Sequence, residues 1–233
     1  MAAVNIIEYI TIASTGNATD FGNLAANNQD TSSLSSSTRN VTGGGEEGSG
    51  TNRIQYVTIA STGNSTDFGD LTENKTAHGA GGSTTRGLFA GGNLPGTGSA
   101  TGIDYITIAS TGNATDFGDC VTAGLGEYPG MATSNTRALK GGGSGDTPNH
   151  NVIDYVTIAS TGNATDFGDL SVARGRLTAT SSKDSYAVFL GGNGPSNVMD
   201  YVTISSTGNA SDWGDLDATV RFGSGLSNNH GGL

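Results

Sequence analysis

Apolar and polar positions along the chain follow one pattern five times over. Each copy opens with a short run in which apolar and polar residues alternate, as in "IDYVTIAS" (153–160). It passes through a polar "TGN" and returns as "ATDFGDL" (164–170). In the first run Val156 and Ile158 fall on one face, and Tyr155, Thr157 and Ala159 on the other, the two-residue period of a strand. Its β-branched and aromatic content predicts a β-strand, and Gly162, free to take φ > 0, predicts a short hairpin turn into the partner strand. A weaker run of small residues, "LTATSS" (177–182), and then "SYAVFLGG" (185–192) complete a unit of four strands. Both faces of the unit carry moderately apolar groups, as a sheet packed between two neighbours requires.

Near-copies of "YVTIASTGNATDFGDL" begin at Tyr9, Tyr56, Tyr105, Tyr155 and Tyr201, 46 to 50 residues apart. A period of that length with glycine punctuation and no helical pattern is the signature of a propeller blade. The expectation is an all-β fold: a single domain over residues 1–233, a five-bladed β-propeller of four-stranded antiparallel blades. The chain opens with the third and fourth strands of a blade. Residues 217–233 align with the first strand of a unit and the start of its second, with His230 at the Thr85 and Ser185 places and Leu233 at those of Leu88 and Val188. One composite blade, from 4–24 plus 217–233, would then close the ring and hide its edges. An open stack, or an oligomer that completes the short blade in trans, is the alternative.

Composition changes this picture little. Leu, Ile, Val and Phe make up about 18% of the chain, with 39 glycines, which alone reads as disorder. Fixed placement of the apolar residues argues against that. The formal net charge of −11, with no local Lys/Arg cluster, argues against nucleic acid as a partner. No apolar run is long enough to span a membrane, and the opening "MAAVNIIEYI" lacks the basic-then-apolar layout of a signal peptide. The single cysteine, Cys120, excludes an internal disulfide. It stands where Leu24, Leu71, Leu170 and Leu216 stand in the other copies and reads as a small buried hydrophobe.

Glycine doublets at Gly44–Gly45, Gly91–Gly92, Gly142–Gly143 and Gly191–Gly192 follow the short strands "RNVTG", "RGLFA", "RALKG" and "YAVFL". A doublet ending a strand, then a tyrosine, then an aromatic before a turn resembles the kelch repeat of β-propellers over nearly the whole chain. Four of the five copies carry Phe where that repeat has Trp. The sentence "YVTIASTGNATDFGDL" itself resembles a repeat of structural proteins of marine tailed bacteriophages, cyanophages included. That resemblance implies a virion setting, with other virion proteins as partners.

Catalysis would need residues that break the repeat. His78, His150 and His230 occupy different places in the unit and have no metal-ligand spacing. No nucleophile elbow is present, and a Ser–His–Asp set cannot be drawn from abundant serines. An enzyme is not expected. The recurring carboxylates Asp67 and Asp70, Asp116 and Asp119, Asp166 and Asp169, and Asp212 and Asp215 have the chemistry for calcium. The competing reading is that they set turns by accepting backbone N–H bonds. Asn17, Asn64, Asn113, Asn163 and Asn209 begin sequons that read as turn chemistry.

Candidate ligand contacts are the recurring rings Phe68, Phe117, Phe167 and Trp213, which fill the spaces between blades unless they are exposed, and Tyr128 in the variable stretch "GLGEYPGM" (124–131). The segments 46–52, 93–101, 144–150 and 193–197 vary in the same way. The leading functional expectation is a non-enzymatic virion structural or appendage propeller for attachment or protein–protein interaction. The alternative is a glycan-binding module that contacts host surface sugars, and a polysaccharide hydrolase ranks last.

Overall fold

The computed structural model describes residues 3–121, 127–144, 149–182, 185–193 and 197–225. Among these the fold is all-β, with no helix and with twenty strands in six antiparallel sheets of two to four strands. Val4–Tyr9 (β1) pairs with Thr19–Asn28 (β2). The second sheet holds Ser32–Ser35 (β3), Arg39–Gly43 (β4), Arg53–Thr58 (β5) and Thr66–Asp70 (β6). Next come Gly79–Gly82 (β7) and Arg86–Ala90 (β8), a small hairpin of Asn93–Leu94 (β9) and Gly98–Ser99 (β10), then Gly102–Thr107 (β11) and Thr115–Asp119 (β12). Gly130–Thr133 (β13), Arg137–Gly141 (β14), Val152–Thr157 (β15) and Thr165–Asp169 (β16) form another sheet. Thr178–Ser182 (β17), Tyr186–Leu190 (β18), Val198–Thr203 (β19) and Ser211–Asp215 (β20) form the last.

Each four-stranded sheet runs in chain order from an inner strand to an outer edge; the third holds β7, β8, β11 and β12. The inner strands lie side by side, β3 against β7, β7 against β13 and β13 against β17. The recurring aromatic sits at an irregularity. Ile153 pairs with Gly168 and Asp154 with Asp166, so Phe167 is the extra residue of a β-bulge. Phe68, Phe117 and Trp213 hold the same place in β6, β12 and β20. The bulge turns Phe68, Phe117 and Phe167 into the space before the next sheet, where each meets that sheet's apolar residues. Phe117, for example, packs in one cluster with Leu88 and Ile103 of its own sheet and with Val156 and Ile158 of the next. Each ring so buried contributes roughly 2 kcal/mol.

The "STGN" turn does more than reverse the chain. In four of the five copies it docks on the outer edge of the preceding sheet. Gly63, Gly112, Gly162 and Gly208 donate their amides to the carbonyls of Phe21, Phe68, Phe117 and Phe167, each at 2.7 Å. Ser65, Ala114, Ala164 and Ala210 donate to Asn23, Asp70, Asp119 and Asp169 at 2.7–2.8 Å. The intervening asparagines Asn64, Asn113, Asn163 and Asn209 accept, through Oδ1, from the amides of those same four edge residues at 3.0–3.1 Å. Backbones come this close only because glycine faces glycine: a Cβ on Gly118 would lie 2.5 Å from the carbonyl of Gly162. A second tie spans each joint between four-stranded sheets. Arg39, Arg86 and Arg137 stack on Tyr56, Tyr105 and Tyr155 and donate to the carbonyls of Ile108, Ile158 and Ile204 at 2.7–2.9 Å.

Candidate functional site

The connectors into the inner strands converge on one cavity of about 540 Å³. Five residues at its rim, Asp30, Ala77, Tyr128, Arg176 and Phe222, share a left-handed backbone with φ of 49–57°. No glycine occupies these places, although the conformation costs a side-chain-bearing residue on the order of 1 kcal/mol or more. The strain is held by a relay of backbone hydrogen bonds. Ala77 donates to Asp30 at 2.9 Å, Tyr128 to Ala77 at 2.7 Å, Arg176 to Tyr128 at 3.0 Å and Phe222 to Arg176 at 3.1 Å. A smaller cavity of about 130 Å³ is lined further along the inner strands by Ser35, Gly82, Thr133 and Ser181, among others.

Equivalent backbones carry unlike side chains here. Tyr128 lies beside the Asp30 carboxylate, and burial together with that negative neighbour pushes its phenol up to about 12. The Tyr128 and Phe222 rings meet edge to face at 5.1 Å. The Arg176 guanidinium lies 5.6 Å from the Tyr128 ring centre and 5.0 Å from that of Phe222, and its buried Nε has no partner in the protein. One rim therefore presents a carboxylate, a phenol, a guanidinium and an exposed aromatic ring. Ala77, the one small side chain, leaves its part of the rim open.

Of the sequence-derived site residues, Tyr128 lies on this rim. Phe68, Phe117 and Phe167 lie in the cores between sheets, edge-on to Tyr56, Tyr105 and Tyr155, and offer no face to a ligand. Trp213 is exposed, against Tyr201 and Tyr186 on the last sheet. The eight aspartates lie one pair per outer strand. Asp116, Asp166 and Asp212 accept from the amides of Gly118, Gly168 and Gly214 at 2.9–3.2 Å, and Asp119 accepts from Thr101 Oγ1. No group of three or more His, Cys, Asp or Glu among the described residues is placed to hold a metal ion.

His78 and His150 lie on different connectors, and His230 and Leu233 lie outside the described residues. His78 is among the residues that line the cavity, and its ring packs against Phe89, with neither nitrogen hydrogen-bonded. Burial, with Lys75 nearby, lowers its pKa to about 3 and keeps it neutral. Cys120 is buried at the leucine place, and burial pushes its thiol up.

Sequence reasoning missed Asp30, Arg176 and Phe222, whose signal is variation at one fixed offset before each weak inner strand. It also missed Asp104, Asp154 and Asp200, the residues just before the repeated tyrosines. These are buried in ion pairs with Lys75 at 3.0 Å, Lys140 at 3.5 Å and Arg174 at 3.0 Å. Neutral Asn28, at the end of β2, and Gln55, in β5, hold the places of Lys75 and Asp104 one repeat earlier. The chain matches none of the family models and none of the curated proteins with which it was compared.

Proposed function

We propose that the chain is a non-enzymatic five-bladed propeller that serves attachment on a phage virion, and that it takes a polyhydroxylated ligand, a host surface glycan, at the axial rim. The ring reading is supported by four sheets of one design joined by one repeated contact, with five equivalent connectors around one cavity. Residues 4–24 and 217–233 would share the fifth blade. The virion setting draws its support from the resemblance of "YVTIASTGNATDFGDL" to phage structural repeats, and other virion proteins would anchor the module.

The observation that carries the ligand reading is the rim itself: five residues on identical strained backbones around a 540 Å³ cavity, with side chains that differ. A repeat whose only task was packing would gain nothing from that variety. Asp30, Tyr128 and Arg176 supply acceptors and donors for hydroxyl groups, and the exposed Phe222 ring supplies a face for sugar C–H groups. Calcium at the paired aspartates enters only as a condition to be varied.

A glycan array probed with the purified chain, with and without calcium, tests this. The expected result is binding to a defined saccharide class that Arg176→Ala and Tyr128→Phe each weaken at least tenfold. A blank from a folded sample would overturn the glycan reading and leave attachment through another virion protein.

A further inference from the structure

Four joints between sheets use four "STGN" loops and four outer edges, so one of each is left over. The unused loop is the first, Ser14–Asn17 with Ala18. The unused edge is the last, Trp213–Asp215 on β20. Both halves of this missing joint lie on the surface, and both carry the apolar groups that the formed joints bury. Ile12 is 97% exposed, where its counterparts Ile108, Ile158 and Ile204, at the joints between four-stranded sheets, are 1–2% exposed and Ile59, at the joint to the two-stranded first sheet, is 46% exposed. Trp213 is 53% exposed, where Phe68, Phe117 and Phe167 are 2% exposed. The backbone approach is also vacant. A Cβ on Gly22, Gly69, Gly118 or Gly168 would strike the docked loop within 2.2–2.5 Å, whereas on Gly214 it would meet only Met199 Cε at 3.8 Å.

We infer that these two halves form a fifth joint within one chain: the loop 14–18 of the first repeat docks on β20 and latches the ring shut. This rests on the ring reading above. The axis says which occupant fits. The hydrogen-bond relay begins at Asp30, in the first repeat's connector, and ends at Phe222, beyond the last sheet. Asp30, Tyr128 and Phe222 line the same cavity and Tyr128 packs on Phe222, so the first and last segments of the circle meet there. The first repeat is therefore the next member in rotational order after the fifth sheet.

The edge itself is specialised. Tyr186 stands where Arg39, Arg86 and Arg137 stand in the earlier sheets, and with Tyr201 and Trp213 it makes an aromatic cluster. The cluster matches Ile10 and Ile12, the two exposed isoleucines just ahead of the unused loop. By analogy with the formed joints, Gly16 N–H donates to the Trp213 carbonyl, Ala18 N–H to the Asp215 carbonyl, and Asn17 Oδ1 accepts from the Asp215 amide.

Trp213 is the only tryptophan in the chain, so it reports this joint without labelling. In the full chain its emission is expected to be blue-shifted, shielded from acrylamide at every protein concentration, and carried by a monomer in sedimentation velocity. Ile12→Asp changes a side chain free in solvent and leaves the rest of the fold in place; it is expected to red-shift the emission and raise quenching several-fold. Free quenching of Trp213 in the unaltered chain would overturn the inference. Shielding that appears only as the chain self-associates would also overturn it, assigning the edge to a second copy. Hydrogen exchange separates the two readings. Slow exchange at Gly112 and Ala114 with fast exchange at Gly16 and Ala18 rejects the latch alone, whereas fast exchange at all four rejects the ring.

Discussion

The Gly162 amide donates to the Phe117 carbonyl at 2.7 Å, across two sheets whose backbones approach so closely that a Cβ on Gly118 would lie 2.5 Å from Gly162. Two glycines far apart in sequence thus make one contact, and the same pairing recurs at every formed joint. The repeat is conserved within this chain at those places because a neighbour's backbone occupies the space that a side chain would need.

Gly118→Ala should therefore cost about 3 kcal/mol, as an overpacked contact does. Gly162→Ala is the matched control: its φ of 151° is similar to the 141° of Gly118, but nothing lies within 4 Å of its added Cβ. That change should cost only about 1 kcal/mol of backbone strain. Urea denaturation of both variants reads the difference.

His78 makes the fold acid-sensitive. Its folded pKa of about 3 lies below the ordinary 6.5, so protonation favours the unfolded chain. The stability that rests on a neutral imidazole is intact above pH 6.5 and drains as pH falls from there towards 3. Between pH 7 and 4 this group should account for a loss on the order of 3 kcal/mol. His78→Leu places the residue found at Leu177 in the equivalent position, and its urea midpoint should vary less over that range.

Tyr128 should ionise late. The difference between the ultraviolet pH titrations of the parent chain and of Tyr128→Phe is expected to be one phenol transition centred at about pH 12. A transition centred near 10 would mean that neither the burial of the phenol nor its Asp30 neighbour persists in solution.

Lys75 and Asp104 are each buried and joined at 3.0 Å. Lys75→Met strands the carboxylate and should cost about 3–5 kcal/mol. Lys75→Asn with Asp104→Gln copies Asn28 and Gln55 of the preceding repeat and should recover most of that loss. A double-mutant cycle by chemical denaturation measures the coupling.

Local structure was legible in the sequence because its causes are local. Alternation at Tyr155–Ala159 predicts β15, the small-residue run 177–182 predicts β17, and "SYAVFLGG" predicts β18. That the chain opens with the last two strands of a unit also followed from where its tyrosine stands, and among the described residues β1 pairs with β2 alone. What a turn touches was not legible. Asn163 looks like ordinary turn chemistry until Asp119, 44 residues away, is seen donating to it. Nothing local to Asp154 signals its burial, which comes from Lys140 on the neighbouring strand and from Val121 beyond the preceding sheet. Tyr128 stood out by its setting, but its rim partners Asp30, Arg176 and Phe222 come from separate repeats, and no spacing in one copy connects them.

The left-handed rim separates two kinds of inheritance. Folding depends on what the copies share: the bulged aromatics, the facing glycines, the docked asparagines. On the proposed reading, recognition would depend on five addresses where the backbone is already fixed and the letter is free. A substitution at Asp30, Ala77, Tyr128, Arg176 or Phe222 would then change the side chains that the rim presents on one shared backbone conformation. If the rim binds a host glycan as proposed, a lineage that follows a changing host surface would explore new targets through those five positions without relearning how to fold.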